Sequence, residues 1–125
     1  MGRVTRESLP FALPGRPNLV LTRNPAYTAK KSEIFTDLHD MVGRGFELAG
    51  AMNVDEIMLI GGAQLYARLM PYVGRMYVTE VDAMIEGDAH FPAISAGEWH
   101  AVETTEHPKG DNDDYAFTAK IYERR

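Results

Sequence analysis

Residues 57–66 read Ile-Met-Leu-Ile-Gly-Gly-Ala-Gln-Leu-Tyr, and no other stretch limits the fold as much. Four consecutive apolar residues, Ile57 to Ile60, are the pattern of a strand buried on both faces. Two glycines follow at once. Ala63 to Met70 then has helical spacing, with Leu65, Tyr66 and Leu69 on one side and Pro71 as its stop. A strand, a glycine pair and a helix in that order belong to an α/β sheet. Ligands bind such sheets at the carboxyl ends of central strands. Glycine lets backbone approach a ligand with no Cβ in the way, and a helix start offers N–H groups that suit a phosphate. The full dinucleotide fingerprint is absent. Pattern alone therefore leaves a phosphate site and a plain strand-to-helix turn both open.

The rest of the chain agrees with an α/β class. Thr5 to Leu9 predicts one helical turn ended by Pro10. Asn18 to Thr22 predicts a short apolar strand, closed by Arg23-Asn24-Pro25. Residues 35–51 predict a helix with Phe35, Leu38, Met41, Val42, Phe46, Leu48 and Ala49 as its apolar stripe. Thr36 is its expected N-cap, and Gly43 and Gly45 weaken it. Arg75 to Val81 predicts another strand. Trp99 to Thr105 and Tyr115 to Tyr122 alternate apolar and polar residues around a polar loop, which predicts an antiparallel hairpin. The expected architecture is a mostly parallel sheet flanked by helices, with an antiparallel hairpin at its end, in a single domain over residues 1–125.

Composition removes several function classes. The chain has 125 residues, 45% hydrophobic and 25% charged, an ordinary balance for a folded domain. A net charge of −5 argues against a nucleic-acid partner. There is no cysteine, so thiolate chemistry, disulfides and sulfur-bound zinc are excluded. The lack of cysteine fits a cytoplasmic protein. No apolar stretch reaches membrane-spanning length, and Met1 to Arg6 lacks the apolar run of a secretory signal. His39, His90, His100 and His107 are too far apart for a zinc signature. Asp111-Asn112-Asp113-Asp114 lacks the spacing of a calcium loop and reads as a solvated turn. No metal is expected.

Two further segments carry chemistry. Gly2 with the helix start near Thr5 could form a second anion cradle, with Arg3 as charge partner; the competing reading is a frayed terminus. Leu13-Pro14-Gly15-Arg16 holds an arginine on a turn, well placed for a bidentate grip on a carboxylate; the competing reading is a solvated loop residue.

In order, Met1 to Ser8, Leu13 to Asn18, Ile57 to Tyr66, Tyr77-Val78-Thr79, Glu86-Gly87-Asp88-Ala89-His90-Phe91-Pro92, Trp99 and Phe117 to Arg125 resemble the recurring segments of the dihydrofolate reductase family. The resemblance covers the whole chain and implies hydride transfer from NADPH to C6 of dihydrofolate, with protonation at N5. It implies that Gly2, Arg3, Val4 and Thr5 form a first cofactor cradle. Leu21, Thr22 and Arg23 would face the adenosine 2′-phosphate. Gly61, Gly62, Ala63, Gln64 and Leu65 would form a second cradle, with a cis bond between the glycines. It further implies substrate contacts from Leu9, Leu13, Arg16, Ile60, Tyr66 and Thr79. Arg16 would hold the glutamate carboxylate, Tyr66 would lie near the nicotinamide, and Thr79, with a water, would support the pterin and the catalytic carboxylate, which makes Thr79 and Tyr66 the expected catalytic residues. Gly87-Asp88 and loop 107–114 resemble segments that brace the active-site lid.

Two departures from the family bear on these expectations. Arg6 stands where the family usually has tryptophan, which predicts an exposed packing side there. The family also begins before Met1, with a central strand, the lid loop and an acid-bearing helix, and no Asp or Glu of this chain matches that acid. The chain is thus expected either to have its start set too late within a longer active enzyme or to be a non-catalytic NADP-binding remnant. A monomer is expected if complete, and self-association if the strand is truly lacking. A riboflavin-pathway reductase of the same architecture is the remaining alternative; Leu-Pro-Gly-Arg and Glu-Gly-Asp followed by His-Phe-Pro favour folate.

Overall fold

A computed structural model describes residues 1–81, 91–111 and 115–125. By internal contacts the chain divides into Met1–Tyr66 and Ala67–Arg125, and each unit has its own architecture.

The first unit is organised around a buried strand. Helix α1 (Arg3–Ser8) leads through a loop to β1 (Asn18–Leu21), which pairs in parallel with β2 (Ser32–Phe35) from Asn18↔Ser32 to Leu21↔Phe35. Val20, at the centre of β1, is fully buried. Burying such a side chain contributes roughly 1.5–3 kcal/mol. The segment before α1 runs beside β1: the Met1 amine donates to the Leu19 carbonyl at 3.0 Å and Leu21 N–H donates to the Met1 carbonyl at 2.9 Å. This adds a parallel bridge between Gly2 and Leu21.

Helix α2 (Leu38–Met52) packs on this pair through Met41, Gly45 and Ala49, residues spaced four apart and so on one face. It starts three residues later than its apolar stripe suggests, because Phe35 pairs with Leu21 in β2. Its N-cap is Asp37, not Thr36: the Asp37 carboxylate accepts the Asp40 N–H at 3.0 Å. Gly45 weakens the helix locally, and the space beside it would hold a Cβ in ordinary contact. A Cβ at that position would stand 3.5 Å from Ile57 Cδ1 and 3.7 Å from Leu19 Cδ1.

Ile57 to Ile60 differs from expectation. The segment belongs to no strand among the described residues, and Ile57 and Met58 are exposed. An apolar run supplies the side chains of a buried strand, but a ladder also needs a neighbouring backbone, and none pairs with it here. Helix α3 (Ala63–Leu69) follows the glycine pair as expected.

The second unit is antiparallel. A 3₁₀ turn (Met70–Tyr72) precedes β3 (Arg75–Val81), and β4 (Trp99–His107) and β5 (Phe117–Arg124) form the expected hairpin. The strand order is β3-β5-β4, with both pairings antiparallel. The α/β class therefore stands, with the parallel pairing carried by β1 and β2. Opposite charges face each other across β3 and β5: Arg75 lies 2.6 Å from Glu123, and Lys120 3.0 Å from Glu80. Trp99 is almost wholly buried, with the Arg124 guanidinium 4.4 Å above its ring. The same guanidinium donates to the carbonyls of Met70 and Val73 at 2.7 and 2.8 Å. Residues 82–90 and 112–114, which include Glu86, Gly87, Asp88, His90 and the Asn112-Asp113-Asp114 turn, lie outside the described residues.

The α2 cap is a separable contribution to stability. Asp37→Ala is expected to lower it by about 1 kcal/mol in urea unfolding, and Thr36→Ala to leave it within about 0.5 kcal/mol.

Candidate functional site

The two glycine segments are built into one backbone junction. Gly2 is the N-cap of α1, extended at φ −78° and ψ 164°. Its N–H donates to the Gly61 carbonyl at 2.8 Å, and its own carbonyl accepts the Arg6 N–H at 3.1 Å. The Gly61–Gly62 peptide is cis. On the far side, Tyr66 N–H donates to the Gly62 carbonyl at 2.9 Å, which closes the first turn of α3. The first turn of any helix leaves N–H groups without intrahelical acceptors, so α1 and α3 both present such groups next to this junction.

Geometry disfavours a side chain at Gly61 in particular. Gly61 has φ +127°, a conformation that side chains disfavour. A Cβ on it would stand 3.1 Å from Thr5 Oγ1 and 3.8 Å from Tyr66 Cε2, and one on Gly62 would stand 3.4 Å from Thr5 Oγ1. Thr5, Gly61, Gly62 and Tyr66 are thus immediate neighbours. The Gly2–Leu21 bridge sets the end of β1 beside them. There Thr22 N–H donates to the Phe35 carbonyl, and Thr22 Oγ1 accepts the Asn24 N–H at 3.2 Å. Arg23 is exposed, as are Val4 and Gln64. Leu65 is buried; Ala63, Ile60 and Leu9 are half-buried.

Arg3 has local partners. It forms an ion pair with Glu7 at 2.8 Å, one helical turn on, and lies 4.6 Å above the Tyr27 ring. The hydrogen bond that Arg3 donates to Glu7 raises its pKa above the ordinary guanidinium value.

Arg16 sits on a turn that Asn18 organises. Gly15 has φ +74°. Asn18, almost fully buried, accepts the Leu13 N–H at 2.9 Å and donates to the carbonyls of Leu13 and Arg16, each at 2.9 Å. Arg16 itself is exposed and donates to the Pro14 carbonyl at 3.1 Å. Sequence reasoning missed this role of Asn18. The available signal was a residue with both donor and acceptor three positions after the Pro14-Gly15 turn.

Arg6 overturns an expectation. It is buried, 8% exposed, where the charge had predicted an open side. Hydrogen bonds make burial tolerable: Nε donates to Ser32 Oγ at 3.1 Å and an Nη to the Lys30 carbonyl at 3.2 Å. Thr79 belongs to the other unit, where it pairs with Ala119 and is exposed on β3. Among the described residues no group of three His, Asp or Glu could hold a metal, and no helix is long and apolar enough to cross a membrane.

Comparison with known proteins gives one answer. The family model for dihydrofolate reductase matches residues 1–124. The chain is 40% identical over 116 residues to dihydrofolate reductase type 3 of Salmonella typhimurium, covering 93% of this chain and 68% of that protein. It is 34% identical over 125 residues to the dihydrofolate reductase of Bacillus subtilis, covering the whole chain and 71% of the relative. Among solved structures it resembles the dihydrofolate reductase from Enterococcus faecalis complexed with NADP(H) and RAB-propyl. That match has a TM-score of 0.77 and 30% identity, over 99% of this chain and 71% of that one.

Two measurements probe the junction. Gly61→Ala is expected to cost about 1–3 kcal/mol of stability in urea unfolding, and Gly62→Ala less, because only Gly61 combines a positive φ with the 3.1 Å approach. Burial raises the Tyr66 phenol above its ordinary 10.0, so the folded chain holds that proton more tightly than the unfolded one. The resulting stabilisation is complete below pH 10 or so and is lost as pH rises through the folded value. Tyr66→Phe is expected to flatten this alkaline decline in urea melts.

Proposed function

This chain belongs to the dihydrofolate reductase family, and from that premise we propose that it binds NADPH at the Gly2–Gly61 junction and reduces 7,8-dihydrofolate to 5,6,7,8-tetrahydrofolate. The observation that carries the reading is the 2.8 Å hydrogen bond from Gly2 N–H to the Gly61 carbonyl. It makes one surface of two glycine segments 59 residues apart in sequence numbering (61 − 2). A dinucleotide diphosphate needs close backbone approach at more than one point, and this surface has no Cβ at Gly2, Gly61 or Gly62.

The residues divide the work. Arg3, Val4 and Thr5, with Ala63, Gln64 and Leu65, hold the cofactor's phosphates through the first-turn N–H groups of α1 and α3, while Gly2, Gly61 and Gly62 provide the close backbone approach. Leu21, Thr22 and Arg23, at the end of β1, face the adenosine end, and exposed Arg23 brings a cation suited to a 2′-phosphate. Bound NADPH supplies the hydride; the protein supplies position and electrostatic field. Tyr66 and Ile60 form the wall beside the nicotinamide and pterin, and burial raises the pKa of the Tyr66 phenol above its ordinary value. Leu9 and Leu13 give apolar contacts to the aminobenzoyl group. Arg16 holds a glutamate carboxylate, with the turn fixed by buried Asn18. We read the protein as cytoplasmic and residues 1–125 as part of a single reductase domain.

The test is an NADPH titration followed by an assay of dihydrofolate-dependent cofactor oxidation, with the pyrimidinone substrate of the riboflavin-pathway reductases in parallel. Oxidation with dihydrofolate alone is expected. Oxidation with the pyrimidinone alone would move the chain to that pathway. NADPH binding without turnover would make it a dinucleotide-binding module. Arg16→Gln is expected to raise the KM for dihydrofolate about 10–100-fold, the loss of one charge-assisted contact, with NADPH affinity unchanged.

A further inference from the structure

Arg6 is the arginine whose surroundings the proposed function leaves unexplained. Arg3, Arg44, Arg75 and Arg124 each lie within ion-pair distance of a glutamate. Arg6 is more buried than any of them, yet among the described residues no carboxylate pairs with it. Its two bonded partners, Ser32 Oγ and the Lys30 carbonyl, are neutral. A guanidinium has five donors, so the recorded bonds leave several unused. No Arg6 nitrogen is both buried and unpartnered, so its remaining donors are open to an anion from outside the chain.

The space for such an anion is present. Arg6 lines a cavity of about 600 Å³ within the first unit, together with Arg16, Lys30, Lys31, Asn18 and the loop Pro10–Gly15. Four cations line it and no acidic side chain does. Lys30 and Lys31 are exposed and neither is paired with a carboxylate among the described residues. Arg6 is held in place from two sides: Ser32 Oγ both accepts from Arg6 and donates to the Lys30 carbonyl at 3.1 Å. A guanidinium held this way is preorganised for an oxyanion.

We propose that Arg6, with Lys30 and Lys31, forms an anion subsite distinct from Arg16 that takes the second carboxylate of the substrate's glutamate tail. This rests on the reading of Arg16 as the holder of the first. A glutamate carries two carboxylates, and the cavity offers two arginines, one on its exposed turn and one in its wall. The shared chemistry is a compact oxyanion, which free phosphate would also satisfy, so the test separates the two sources.

Calorimetric titration of the full chain with NADPH present compares dihydrofolate with dihydropteroate, which lacks the glutamate. The expected result is tighter binding of dihydrofolate. The Lys30→Gln/Lys31→Gln double variant, altered only at exposed positions, weakens dihydrofolate by about tenfold and leaves dihydropteroate unchanged. Arg6→Gln does the same, and inorganic phosphate competes with dihydrofolate alone. If dihydrofolate affinity is the same in the double variant, the subsite is overturned while the proposed function stands. If the chain binds neither pterin but phosphate raises its melting temperature in a lysine-dependent way, the cavity takes free phosphate. That result overturns both the tail assignment and the proposed function.

Discussion

The hydrogen bond between Gly2 and Gly61 is the constraint on which the first unit turns. It ties the entry of α1 to the segment that precedes α3, and through the Gly2–Leu21 bridge it ties both to β1. Three elements distant in sequence thereby share one backbone junction. Every group in that contact is main chain, so it tolerates almost any nearby side chain except one that adds a Cβ at the junction itself. At Gly61, Thr5 Oγ1 stands 3.1 Å from where a Cβ would be and φ is +127°, so that position is fixed by packing and backbone conformation.

Much of this was legible because it is local. Glycine pairs, prolines and alternation mark turns and strands directly, so β1, α3, β3 and the β4–β5 hairpin follow from short stretches of sequence. What escaped depends on distant partners. The four residues of β2 carry no alternation of their own; β1 makes them a strand, and that pairing removes Phe35 from the helix it otherwise extends. Ile57 to Ile60 shows the converse, since an ideal strand composition does not create a ladder where no backbone lies alongside. Asp37 displaced Thr36 as the cap because β2 ends at Phe35 and sets where α2 can begin.

Arg6 and Asn18 show a second limit. Both are polar, both are buried, and hydropathy places both outside. Asn18 is inside because its amide satisfies three loop backbone groups. Arg6 is inside because Ser32 and Lys30 receive its donors. A pattern of polarity records what a side chain is, whereas its location also depends on which acceptors the fold brings to it. The resemblance to reductases supplied the roles of the glycine segments and of Arg16, yet it gave no guide to Arg6, where this chain departs from the family's tryptophan.

The order β3-β5-β4 also governs when the second unit can take shape during synthesis. β3 and β4 contact each other only through β5, the last of the three to leave the ribosome. Until residues 117–124 have emerged, β3 has no ladder partner in this sheet and Arg124 is not yet available to cover Trp99. Pairing in this sheet therefore waits for its third strand, and until then β3 and β4 carry unsatisfied ladder groups.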